Sequence, residues 1–402
     1  MHPADEIRGV KSSLLEDKRI VLAVTGSIAA VETIRLAREL IRHKATVIPV
    51  MTPAATRIIH PDSLWFATGR KPIVELTGDT EHVRFCGRVE DPVDLLLIAP
   101  STANTISKIA MGIDDTAVTT FATTAIGSHR PVIIVPAMHL SMYDHDIVQD
   151  NVDKLKQQGI EFVDPFFKNN KAKLAGIDQI VARVVHRIGP NQLNGKKVLI
   201  IGGSTEEEVD DVRCLTNKSS GKTAIALATN VFYQGGEVSL WYGQSNEQVP
   251  LFIPTQRFHS IADVKKLIEE STLDSFDIIL VCAALADYIP LKQTGKIEST
   301  DENLTLSFRK AEKILPLIRR KTSESRIIGF KLETTKNEAI KKAKKLVTSI
   351  PVDAVIANTI STIGSTNQSA WIVDHSETVT ECTGSKDDVA LQLISYLVSV
   401  MS

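Results

Sequence analysis

The chain has 402 residues, 43% of them hydrophobic and 23% charged, with a formal net charge of −2. At roughly 150 residues per domain, this length allows two or three domains with sizeable cores, and the near-neutral balance argues against a nucleic-acid scaffold, which carries a basic excess. No apolar run reaches the ~18 residues of a membrane span, the N-terminus lacks the apolar core of a secretion signal, and Cys86, Cys214, Cys282 and Cys382 are too scattered for a metal site, so a cytoplasmic protein with reduced thiols and no membrane partner is expected.

In chain order, residues 1–17 read as an exposed lead-in with a short helix. Apolar runs at 19–25, 46–51, 94–99 and 131–135 predict buried strands, and each ends in small polar residues or proline. A helical stripe runs from 29 to 43, with Ile34, Ala37, Leu40 and Ile41 on one face. Residues 164–176 break the alternation and read as a polar flap or loop, followed by a helix over 177–188 and a boundary at Gly189-Pro190-Asn191. The chain then restarts. Asn194-Gly195-Lys196-Lys197-Val198-Leu199-Ile200-Ile201-Gly202-Gly203 repeats the layout of 18–27: a basic turn, a buried strand and a glycine bend. Further strands are predicted at 197–201, 237–242, 277–283, 326–331 and 353–357, with shorter ones at 304–309, 370–374 and 377–381, the last two as a hairpin around Asp374-His375. Helices are predicted at 221–234, 261–270, 312–321, 337–349 and 385–399, and the lysine-rich 336–345 run as a solvated helix face. The fold class expected is α/β, with two tandem doubly wound Rossmann-like domains, the first flavodoxin-like. The domain limits are a lead-in at 1–17, a first domain at 18–190 and a second at 191–402.

In such sheets ligands sit beyond the carboxyl ends of the strands. Thr25-Gly26-Ser27, Thr52, Ser101-Thr102 and Ala137-Met138 all fall there. The segment Gly26 to Ala30 can present backbone N–H groups and a hydroxyl to an anion at a helix start, although any tight strand-to-helix turn uses the same residues. It lacks the later glycines of the dinucleotide fingerprint, so a mononucleotide is the better match. Ser101-Thr102-Ala103-Asn104-Thr105 can cap a helix, and holds more polar groups than one cap uses. His82 and His139 are the acid–base candidates of this half. In the second half, Arg213, Asn217, Lys218, Ser219, Ser220 and Lys222 precede a helix and suit a phosphate, or simply a solvated capped loop. Cys282-Ala283-Ala284 lets a base or ribose approach closely, Lys296 adds a cation, and Phe330 can stack on a base.

The first-half motifs VTGSIAA, EHV, APSTANTISKIAMGIDD and VPAMHLSMY resemble the homo-oligomeric flavin-containing cysteine decarboxylases. In the second half, VDDVRCLTNKSSGK, CAALADY, GKI, GFKLET and DAVIAN resemble the phosphopantothenate–cysteine ligases. Both halves in this order resemble the family of bifunctional coenzyme A biosynthesis enzymes, in its archaeal form. The resemblance implies Gly26, Ser27, Thr52, Ser101, Thr102, Asn104 and Ala137 as FMN contacts and His82 as the active-site histidine. It implies that Arg213 and Asn217 bind the activated acyl group, and that Ala283, Asp287, Lys296, Phe330 and Lys345 meet the nucleotide. Four features depart from the family's usual pattern. His139 replaces an asparagine that helps hold the substrate carboxylate, the flap has no cysteine (leaving Lys171, Lys173 or His139 as stand-ins), and Ala311-Glu312-Lys313 and Ser349 replace nucleotide-binding residues.

The implied activity is CTP-dependent ligation of cysteine to 4'-phosphopantothenate through an acyl-cytidylate, then FMN-dependent decarboxylation to 4'-phosphopantetheine. FMN and Mg²⁺ are the implied cofactors, and CTP a co-substrate. A homo-oligomer is also implied, trimer-based in the flavin half and dimeric in the ligase half, which together allow a dodecamer. A flavoprotein decarboxylase of another substrate, and a regulatory flavoprotein fused to a nucleotide-binding domain, are the alternatives.

Overall fold

A computed structural model describes residues 2–168, 171–298, 303–362, 364–365, 367–376 and 378–401. The chain divides into two compact units, Met1–Asn191 and Gln192–Ser402.

In the first unit, β1 (Arg19–Val24), β2 (Thr46–Met51), β3 (Leu95–Ser101), β4 (Val132–Pro136) and β5 (Glu161–Phe162) form a parallel sheet in the order β2-β1-β3-β4-β5. All the residues of β3 and β4 are buried, because helices cover both faces and the strands read as unbroken apolar runs. The order reverses at β1/β3, where the carboxyl ends open a crevice. The helices α1 (Thr33–Arg42), α2 (Glu81–Cys86), α3 (Ala103–Met111), α4 (Ala117–Gly127) and α5 (Ile177–Ile188) surround the sheet. One core cluster joins Val21, Ile98, Phe121 and Ile134.

Two expectations are corrected here. The lead-in is docked rather than exposed: Ala4 and Leu15 are buried, Gly9 N donates to Ile41 O at 3.0 Å, and the Arg8 guanidinium donates to Ala45 O at 2.9 Å. The flap is strand rather than loop. Phe166–Lys168 and Lys171–Lys173 pair antiparallel, and the latter pairs with Met138–His139. Asn169 and Asn170, within that flap, lie outside the described residues.

In the second unit, β6 (Lys197–Gly202), β7 (Glu237–Tyr242), β8 (Thr255–Arg257), β9 (Ile278–Val281), β10 (Arg326–Glu333), β11 (Ala354–Thr359), β12 (Asn367–Asp374) and β13 (Val379–Ser385) form one sheet. Its order is β8-β7-β6-β9-β10-β11-β12-β13. The first six strands are parallel in the dinucleotide-fold order, and β12 and β13 add antiparallel at the edge. The predicted hairpin is these last two strands, and Glu377 between them lies outside the described residues. The helices α6 (Lys222–Tyr233), α7 (Lys336–Ser349) and α8 (Lys386–Met401) pack around this sheet. The predicted strand at 304–309 is Phe308–Lys310, paired with Tyr288–Pro290 outside the main sheet.

The basic turns have a structural use common to both units. Asp94, just before β3, accepts from Arg19 N at 2.8 Å and Lys18 Nζ at 3.2 Å. Asp277, just before β9, accepts from Lys197 N at 2.8 Å and Lys196 Nζ at 3.2 Å. Each aspartate closes the amino end of the central strand pair, which leaves the carboxyl ends for ligands. No described helix is long and apolar enough to cross a membrane.

Candidate functional site

In the first unit, hydroxyls and backbone stitch the strand ends together. Thr25 Oγ1 donates to Pro100 O at 2.8 Å and accepts from Thr102 N at 3.1 Å, which joins β1 to β3 at the switch point. Ser27 Oγ donates to Ala137 O at 3.0 Å, and Ala137 N donates to Ser101 O at 3.0 Å, extending the seam to β4. Thr52 N donates to Val24 O at 3.0 Å, and its hydroxyl caps Pro53–Thr56. A Cβ at Gly26 would stand 2.6 Å from Ala54 Cβ, so glycine is needed for the close approach of β1 and β2 ends. Thr102 caps α3, and Asn104 is exposed in its first turn.

Ser101 Oγ is fully buried with no hydrogen-bond partner. A buried, unpaired hydroxyl is costly, and here it lies among the strand ends. A flavin carries ring carbonyls, ribityl hydroxyls and a phosphate, so the orphaned hydroxyl and the glycine cradle fit such a group. His82 lies on α2, with Nδ1 buried and unpaired. Glu81 fixes the start of that helix by accepting from Thr77 Oγ1 at 2.7 Å and Thr77 N at 3.1 Å. The Thr77 hydroxyl holds the Glu81 carboxyl below its usual range. Phe85 stacks on Phe121 of α4 and locks the helix down. Among the described residues, no hydrogen bond ties His82 to the strand-end cluster. His139 is exposed, and its Nδ1 meets Ser141 Oγ at 3.0 Å. Cys86 is buried and its thiol is pushed up to about 12, so it offers no thiolate.

In the second unit, the loop 217–221 is anchored at both ends. Asn217 Nδ2 donates to Ala284 O at 3.1 Å and Leu285 O at 3.3 Å, just past β9. Ser220 O accepts from Ser245 Oγ at 2.7 Å, which in turn accepts from Tyr242 Oη at 2.8 Å. Gly221 has φ +72°, and a Cβ there would lie 2.0 Å from Tyr242 Oη. Gly221 precedes α6 without a side-chain cap, so the free N–H groups of that helix face the loop. A cavity of about 140 Å³ lies against them, lined by Lys218, Gly221, Thr223, Ala283, Phe330 and Lys386 among others.

The fold therefore brings Asn217, Ala283 and Phe330 to one place. Arg213 is held nearby in sequence by Asp210, at 2.5 Å. Asp287 is exposed and ion-paired with Lys313, Lys296 is exposed, and Lys345 is exposed on α7; none of these three lines the cavity. Asn358 and Lys386 are among the lining residues that were not singled out from the sequence. Asn358, within β11, has Oδ1 buried and unpaired. Lys386, at the start of α8, donates to Gln368 Oε1 at 3.2 Å, Thr362 O at 3.3 Å and Thr223 Oγ1 at 3.4 Å. Burial, with Lys222 adding to it, lowers the Lys386 ammonium from its ordinary value. A polar residue near the end of an apolar strand was the available signal for Asn358; a lone lysine opening a helix gave none for Lys386.

The Flavoprotein family matches residues 9–189, and the family described as DNA/pantothenate metabolism flavoprotein C-terminal domain matches residues 193–401. The coenzyme A biosynthesis bifunctional protein CoaBC of Thermococcus kodakarensis is 43% identical over 380 residues, covering 93% of each chain. The protein of that name from Methanocaldococcus jannaschii is 37% identical over 402 residues, covering 98% of this chain and 96% of its own. The Bacillus subtilis protein is 32% identical over 367 residues, with 87% and 88% covered.

Proposed function

The chain belongs to the family of bifunctional coenzyme A biosynthesis proteins, with a flavoprotein decarboxylase unit followed by a ligase unit, and from that premise we propose which of its residues perform each reaction. In the ligase unit the carboxylate of 4'-phosphopantothenate attacks the α-phosphorus of CTP, and pyrophosphate leaves. The cysteine amine then attacks the acyl-cytidylate carbonyl, CMP leaves, and the amine loses a proton as the amide forms. The α6 N-terminus and Lys218 take the phosphates. Lys296, Asp287 and Lys345, which lie outside the cavity lining, contact the nucleotide, Phe330 and Ala283 take the base and ribose, and Arg213 and Asn217 hold the activated carbonyl. Lys386 and Asn358 join this set because their polar ends line the same cavity. Mg²⁺ would be held through the nucleotide's phosphates and would offset their charge.

In the decarboxylase unit, Gly26, Ser27, Thr52, Ser101, Thr102, Asn104 and Ala137 hold FMN. When bound, FMN supplies the reversible redox chemistry that lets the carboxylate leave as CO₂ without net oxidation. His82 moves a proton through the ring whose Nδ1 has no protein partner, and His139 takes the place of a carboxylate-holding asparagine. The reading also carries a cytoplasmic enzyme, assembled as a homo-oligomer. The exposed apolar side chains Ile28, Met111 and Met142 of the first unit supply surface for that assembly.

The observation that carries this reading is the Asn217 amide bound to the Ala284 and Leu285 carbonyls, which makes one site of two motifs far apart in sequence. Purified full-length protein, given 4'-phosphopantothenate, cysteine and CTP, is expected to be yellow and to form 4'-phosphopantetheine and CO₂. A preparation that stays colourless after reconstitution with FMN, or turns over with ATP but not CTP, would overturn the corresponding assignment.

A further inference from the structure

Arg213 and Lys296 are 83 positions apart in the sequence, yet two consecutive aspartates tie their segments together. Asp210 is fully buried as a side chain, whereas Asp211 is half exposed. Asp210 Oδ1 accepts from Val212 N at 2.8 Å and Arg213 N at 2.6 Å. Its Oδ2 accepts from Arg213 Nη1 at 2.5 Å and from Ile297 N at 3.0 Å. Asp211 Oδ2 accepts from Gly295 N at 2.9 Å, and Asp211 N donates to Gly295 O at 3.3 Å. Arg213 Nη1 closes the loop by donating to Ile297 O at 3.2 Å. The two carboxylates thus grip the backbone on both sides of Lys296 and leave its side chain outside the grip.

A buried carboxylate with four donors is satisfied, so Asp210 is not itself waiting for a ligand. Its bonds are charge-assisted and short, and they fix both the Arg213 guanidinium and the 295–297 backbone. Other charges facing the pair are Lys292, whose Nζ lies 3.0 Å from Asp211 and 2.8 Å from Glu208. A cation that must meet a transferring phosphate or acyl group works only when placed to within a fraction of an ångström.

We propose that Asp210 and Asp211 form a positioning clamp that holds Arg213 and the Lys296 backbone in one register, so that the cation facing the acyl group and the cation facing the nucleotide are set together. This rests on the reading that Arg213 and Lys296 serve ligation.

The test uses the full-length protein, with CTP-dependent pyrophosphate release and amide formation as readouts and decarboxylation as an internal check on folding. Asp210→Asn keeps the side-chain shape and replaces one acceptor by a donor. It is expected to lower ligation by about 100-fold, the scale of an ångström-level misplacement. In an Arg213→Ala background the same change should cost no more than about tenfold, because part of its effect is already lost. An undiminished loss in that background would overturn the clamp. Asp211→Asn, at a half-exposed position, covers the case in which Asp210→Asn does not fold. It should raise the KM for CTP about tenfold, the scale of one charge-assisted bond, while kcat changes little; an unchanged KM overturns the clamp. Full ligation by Arg213→Ala and Lys296→Ala would instead remove the underlying reading of the two cations, an outcome distinct from failure of the clamp.

Discussion

The two units solve the same topological problem with different chemistry. Both open a crevice at the reversal of strand order, and both brace the opposite end with an aspartate on a basic turn. The first unit's strand ends carry hydroxyls and small residues, Thr25, Ser27, Thr52, Ser101 and Thr102, all neutral. The second unit's mouth carries Lys218, Lys222 and Lys386 at an uncapped helix start. A neutral, hydroxyl-lined seam suits a cofactor that stays bound while its ring does chemistry. A cationic mouth suits a site that must neutralise a triphosphate and release pyrophosphate. On the proposed reading, the division of labour is written in the electrostatics of the strand ends more than in the fold.

The sharpest way to break this comparison is at the cationic mouth. Asn217→Asp places a carboxylate against the Ala284 and Leu285 carbonyls, where the amide now donates. Ligation should fall by about 100-fold, the scale of an ångström-level misplacement when that anchor is lost, with FMN content unchanged; amide formation by single turnover measures it. Next, Gly221→Ala forces a residue with a Cβ into φ +72° beside Tyr242. Such strain costs on the order of 1–3 kcal/mol, so calorimetry should show a lower Tm for the ligase unit, together with weaker CTP binding.

At the neutral seam the sign is different. Ser101→Ala removes a buried hydroxyl that has no protein partner. The apoprotein should hold its stability or gain up to about 1 kcal/mol, while FMN affinity falls about tenfold; urea titration and flavin fluorescence report the two separately. The smallest expected effect is a pH slope. Lys386 is lowered from its ordinary 10.5 by burial and by Lys222. Between that lowered value and 10.5 the unfolded chain binds more protons, so the apo ligase unit should gain stability as pH rises. Nucleotide affinity should fall over the same window as the ammonium loses its charge. Lys386→Met should flatten both slopes.

Much of the architecture was legible because buried parallel strands are continuous apolar runs, as in Leu95-Leu96-Leu97-Ile98 and Val198-Leu199-Ile200-Ile201. The flap was not, because its strand Lys171–Lys173 is polar and its partner, Met138–His139, lies 33 residues earlier. The helix Ala117–Gly127 was missed for a different reason. Its threonines favour strand by propensity, but Thr116 and Thr119 form a capping box that starts a helix. The docking of 1–17 depends on backbone bonds to the end of α1, which hydropathy does not report. For the sites, residues at strand ends were readable from topology alone. Lys386 was not, since only the packing of α8 against α6 brings it to the cavity.

The claim that two separate sites share one chain is tested most directly by a crossed assay on full-length protein. His82→Asn and Asn217→Asp are each measured for CO₂ release from 4'-phosphopantothenoylcysteine and for cysteine ligation. His82→Asn should abolish CO₂ release with ligation intact, and Asn217→Asp should do the reverse. Equal loss of both activities in either variant would contradict the account.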